Sequence, residues 1–186
     1  MAFFDKLKKQ ATSAIEKALD PRHKTQKITF ADLPETLEAF KALPEAQLAS
    51  PFETAALTVV AFCLYPVNKE LCHQMLNYLR GPRPMSEMDK QFIRDRFLDK
   101  DYVPRSYFDG ATPAKDYMPS KPYTITVTSN PRSLDDPDTV RLYINSGGAD
   151  SPRLVSLRKA KDGKWYLWEQ YLLADIRKPE SENPWA

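Results

Sequence analysis

The chain has little glycine, cysteine or histidine: five, two and two of 186 residues. So few glycines leave few places for positive backbone φ, and no G-x-G-x-x-G or Gly-Lys-Ser/Thr sequence occurs, which excludes those nucleotide-binding fingerprints. Cys63 and Cys72 make no disulfide framework, and with His73 they match no zinc spacing. His23 and His73 belong to no nucleophile motif, and there is no G-x-S-x-G. No apolar run reaches the roughly 18 residues of a membrane span, and the N-terminus has no signal-peptide core. The reading therefore expects a cytoplasmic protein that needs no cofactor and holds no metal. A net charge of +2 is too small to demand nucleic acid as a partner.

What the chain does have is proline, 16 residues, and a hydrophobic share of 42%, enough to bury a core. The prolines punctuate. Pro34 and Pro44 bracket a short helix ending near Leu43, and Pro51 opens an apolar helix over Phe52 to Leu64. Asn68 caps a third helix ending at Gly81-Pro82, a stiff joint continued by Arg83-Pro84. Ser86 and Asp89 have the spacing of a capping box for a fourth, with Phe92, Ile93, Phe97 and Leu98 assigned to its buried side. Tyr102, Tyr107, Phe108 and Tyr117 lie in a proline-rich crossover, expected to be pinned to the core.

Strand periodicity dominates the C-terminal part. Tyr123 to Thr128, Thr139 to Ile144, the segment around Val155 and Leu157, and Trp165 to Trp168 all read as strands. Asp162-Gly163 predicts a type I′ hairpin turn between the last two. The fold class is α+β, with N-terminal helices packed on a four-stranded or slightly larger antiparallel meander. The expected organisation is a basic amphipathic helical extension over 1–27, one domain over 28–178 and a tail over 179–186. Within the domain the helices take 28–100, the crossover 101–122 and the sheet 123–178.

Two regions are candidate recognition surfaces. The first is the loop Ser146 to Arg153. Gly147 and Gly148 permit an anion-binding nest of amides, Arg153 adds charge, and Asp150 can equally cap a turn. The second is the sheet face opposite Ile125, Val127, Val140, Leu142, Val155 and Leu157. It carries Arg141, Tyr143, Ser156 and Arg158, joined by Tyr166 and Trp168, and aromatic side chains beside arginines are interface chemistry. Residues 1–27 carry seven Lys/Arg against three acids, so the rest of the chain is net −2. Phe3, Phe4, Leu7 and Lys8 begin an amphipathic pattern suited to a partner helix or a peripheral membrane surface.

The runs Phe52 to Leu57, Arg94 to Tyr107, Gly147 to Arg153 (GGADSPR) and Trp165 to Gln170 (WYLWEQ) resemble a bacterial domain family of unknown function. That resemblance implies a bacterial source and a shared fold, and carries no activity. Helices followed by a meander with a late Asp-Gly-Lys-Trp-Tyr-Leu strand are similar, at the level of architecture, to the cone-shaped nuclear-transport-factor-2-like superfamily, which implies a small-molecule pocket. The functional expectation is a non-enzymatic binding or scaffold protein with a protein partner. The alternative is a pocket protein or enzyme of the cone type.

Overall fold

In the computed structural model, residues 24–185 are described. The elements run β1 (Thr25–Phe30), α1 (Leu37–Ala42), α2 (Pro51–Cys63), α3 (Lys69–Arg80), α4 (Glu87–Phe97), β2 (Tyr123–Thr128), β3 (Thr139–Ile144), β4 (Arg153–Lys159) and β5 (Trp165–Gln170). This is the expected α+β class, with a five-stranded antiparallel sheet in the order β1-β2-β3-β4-β5. The strand not named from sequence is β1. It precedes the helices and begins at Thr25, inside the segment assigned to the helical extension. Only Ile28 and Phe30 of its six residues are buried, too few to announce a strand.

The helices start where their caps say. Thr36 Oγ1 accepts from the Ala39 N–H, and Asn68 Oδ1 accepts from the Leu71 N–H. Ser86 and Asp89 form the reciprocal capping box. On α4, Ile93 and Phe97 are buried one turn apart, whereas Phe92 and Leu98 are 45% and 71% exposed, against the expectation. Phe92 lies about 100° around the helix from Ile93, outside the face that Ile93 and Phe97 share, and Leu98 has already left the helix at φ −59, ψ 114. The Arg96 guanidinium covers the outward Phe92 ring at 5.1 Å.

Helix α2 is the centre of the molecule. Ten of its thirteen residues are buried, so it is apolar on all sides, as a helix between layers must be. It packs on the sheet and against α3. The sheet side chains facing this layer include the six expected, Ile125, Val127, Val140, Leu142, Val155 and Leu157, all buried, and Leu167 is buried with them. Two threonines make this helix specific. Thr54 Oγ1 donates to the Trp165 carbonyl (3.0 Å) and Thr58 Oγ1 to the Thr54 carbonyl. The Trp165 N–H donates to the Leu48 carbonyl (2.8 Å), so part of the outer edge of β5 is closed by the helical layer.

Strands β2 and β3 pair only at Val127↔Ile144 and Thr128↔Tyr143, then diverge. The crossover fills the gap. The Asp109 N–H donates to the Thr124 carbonyl, and the Gly147 N–H to the Ser106 carbonyl. Its tyrosines hold the segment after β5: Tyr107 Oη–H donates to the Leu172 carbonyl (2.6 Å), Tyr102 to Ile176 and Tyr117 to Arg177. Tyr102 and Tyr117 stack at 5.6 Å. The aromatic crossover is pinned, as its composition predicts.

Candidate functional site: an arginine–tryptophan groove

The β4–β5 hairpin departs from a two-residue type I′ turn. Such a turn needs positive φ at both central residues, and here only Gly163 has it (φ +81). The Asp162 side chain decides the geometry. Its Oδ1 accepts from the Lys164 N–H and its Oδ2 from Tyr166 Oη (2.6 Å). The Gly163 N–H closes the turn on the Ala160 carbonyl. Further along, Ser156 pairs with Glu169 but Leu157 pairs with Leu167, so Trp168 is an inserted residue, a β-bulge. The bulge sets the indole beside Arg158 on the open sheet face, the Arg158 guanidinium carbon lying 4.7 Å from the ring centroid.

The other wall comes from the joint after α3. Gly81 has φ +55 and ψ −114, a conformation for which other residues are poorly suited. A Cβ there would also sit 2.2 Å from the Tyr166 ring, so the hairpin tyrosine packs directly on the glycine backbone. Pro82 and Pro84 then restrict the chain on either side of Arg83. The Met85 N–H donates to Asn77 Oδ1 (2.8 Å), tying the joint back to α3. Arg83 emerges over Trp168, its guanidinium carbon 4.3 Å from the centroid. Two guanidinium groups, from opposite walls, thus share one indole.

Between the walls lies an open groove of about 510 Å³, lined by Pro82, Tyr166 and Trp168 among cations. Arg80, Arg83, Arg158, Lys159 and Lys161 line it, with Asp162 the lone acid. Arg80 is matched by Asp89 at 3.4 Å. Neither Arg83 nor Arg158 has a carboxylate within ion-pair distance among the described residues. The hydrogen bond between Tyr166 and Asp162 pushes the tyrosine up to about 12, with burial adding to it, and holds the Asp162 carboxyl below its ordinary value. Around neutrality the pair stays phenol and carboxylate.

Of the residues nominated from sequence, Arg158, Tyr166 and Trp168 meet in this groove. Arg141 pairs with Ser156, two residues along from Arg158 on the same sheet face, and is exposed. Tyr143 lies farther along β3, half-buried, its carbonyl accepting from Thr128 Oγ1. Ser156 itself is only 5% exposed.

The 146–153 loop lies elsewhere and is knitted into the crossover. Ser146 Oγ is 2.7 Å from Ser106 Oγ and accepts the Gly148 N–H. The Gly147 and Ala149 amides donate to the Ser106 and Ser146 carbonyls. These amides are therefore engaged within the fold. Asp150 pairs with Arg177, and Arg153 donates to the Ser151 and Asp175 carbonyls. Phe3, Phe4, Leu7 and Lys8 lie outside the described residues.

Burial pushes the Cys63 thiol up to about 12 and raises that of Cys72. Among the described residues, no group of three or more His, Cys, Asp or Glu is placed to hold a metal ion. No described helix is long and apolar enough to cross a membrane.

Sequence reasoning identified Gly81-Pro82-Arg83-Pro84 only as a joint and missed Arg80, Arg83, Lys159, Lys161 and Asp162 as neighbours of Trp168. The available signal was local: Lys159, Lys161 and Lys164 crowd one hairpin turn. With the groove described, its place in a family can be stated. Residues 32–180 match a family described as Domain of unknown function (DUF6935). The chain belongs to this family. The DUF6935 match covers every residue lining the groove and begins after β1. No curated protein and no solved structure matches the chain.

Proposed function

We propose that this chain is a non-enzymatic binding protein of the bacterial cytoplasm, and that the arginine–tryptophan groove is where it takes hold of a protein partner. The observation that carries the reading is the pair of cations without acid partners, Arg83 and Arg158, on the half-buried Trp168. Trp, Tyr and Arg are the residues on which protein interfaces concentrate their energy. The groove's acid and phenol are held ionised and protonated by one another, so neither trades a proton near neutrality, as acid–base catalysis requires. Two free cysteines suit a reducing compartment.

The cone-type alternative calls for a ligand space between helices and sheet. There α2 contributes Ala55, Leu57, Val60 and Ala61, all essentially inaccessible, against an equally buried sheet face. That packing favours recognition on the outside of the molecule.

The test is reciprocal affinity capture with the full chain and its Trp168→Ala variant, after matching their thermal midpoints. The expected result is a partner recovered from both directions with the native chain and lost with the variant. An identical set retained by both would remove the groove from the recognition surface.

A further inference from the structure

We propose that the groove is a docking site for an acidic peptide segment, bound extended, with carboxylates anchored by Arg83 and Arg158. This rests on the binding reading above and names the chemistry of the partner. The first argument is charge complementarity. The groove presents several cations and one acid, in a chain whose net charge is only +2, so the positive field is local. Arg80 already faces Asp89, and Asp162 is occupied by the Tyr166 hydroxyl and the Lys164 amide. The charges left to a ligand are Arg83, Arg158 and the hairpin lysines.

The second argument is positional. Arg83 stands between two prolines and Arg158 on a central strand, and both rest on the same indole. Stacking on Trp168 restrains guanidinium groups that would otherwise lose side-chain entropy on binding. In an extended peptide, side chains two residues apart share a face and lie about 7 Å from one another. Alternating acidic residues on one face of such a peptide can thus engage both arginines, while the intervening side chains point away from them. An oligonucleotide is a poorer fit, because the aromatic surface on which a base would stack already carries two guanidinium groups.

The experiment measures fluorescence anisotropy of a short labelled peptide alternating Asp and Ser, with its Asn–Ser counterpart as control, against the full chain. Binding is expected at about 20 mM salt and should fall at least tenfold near 500 mM, where screening is short-ranged. Combining Arg83→Ala with Arg158→Ala should abolish it at unchanged thermal midpoint. Asp162→Asn, which removes the one repelling charge, should tighten it. Equal binding of the Asn peptide, no binding at low salt, or binding indifferent to both arginine substitutions would overturn the proposal. So would displacement of the peptide by an equimolar oligonucleotide. Should the acidic peptide fail while partner capture still depends on Trp168, the groove binds something of other chemistry; failure of both tests removes the groove altogether.

Discussion

Gly81 decides more at this site than any charged residue, because it lets two distant pieces of chain touch. Its φ of +55 with ψ −114 and the Tyr166 ring against its backbone are two separate demands, and only glycine meets both. Gly81→Ala is expected to destabilise the fold by about 1–3 kcal/mol, the usual scale for a strained backbone position. It should also weaken ligand binding, since Tyr166 must swing away and take the hairpin wall with it. Urea unfolding and peptide anisotropy on one preparation check both effects. Loss of binding without loss of stability would mean that the glycine is needed by the ligand rather than by the packing. Trp168 shows the opposite dependence. Its orientation comes from a register shift along β4 and β5, and no property of the residue itself announces that shift.

At the scale of elements, the locally encoded features were legible and the non-local ones were not. The capping box of α4 lies within four residues, and the hairpin was placed by Asp162-Gly163; both can be read from neighbours. The turn type depended on Tyr166 reaching back to Asp162, and the groove on Arg83 meeting a tryptophan 85 residues later, for which no periodicity exists. The cap itself carries a pH dependence. Burial works against the Asp89 carboxylate, but hydrogen bonds from the Ser86 N–H and hydroxyl, with Arg80 and Arg83 nearby, hold its carboxyl below the usual value. A lowered folded-state value means that the stabilisation is complete above the unfolded carboxylate's pKa and disappears as pH falls through the folded one. Ser86→Ala is expected to cost about 1 kcal/mol at neutral pH. Asp89→Asn should be less stable than the native chain at neutral pH. The difference should begin to shrink near about pH 4, where an unfolded carboxyl takes up its proton, and vanish only at lower pH, below the folded carboxyl's lowered value. Denaturant midpoints across that range test this; a constant difference would place the stabilisation in packing.

For the whole molecule, the cooperative unit and the family match do not begin at the same residue. The DUF6935 match starts at residue 32, yet Ile28 and Phe30 of β1 are in the core and the strand pairs along its full length with β2. The Lys24 N–H and the Ser129 hydroxyl bond at the far end of that ladder. Removing β1 would strip a whole ladder from β2 and leave a void beneath α2, where truncating a buried Ile or Phe typically costs 2–5 kcal/mol. A chain beginning at Asp32 is therefore expected to melt at least about 10 °C below one beginning at Lys24, since each kcal/mol shifts a domain of this size by about 2–4 °C. Using the Lys24 start as reference removes any contribution of residues 1–23 from the comparison. Ile28→Ala in the full chain should shift the midpoint in the same direction by a smaller amount. Equal midpoints for the two truncations would show that β1 frays independently of the sheet. The groove would be little affected in that case, because it is built at the opposite edge, on β5.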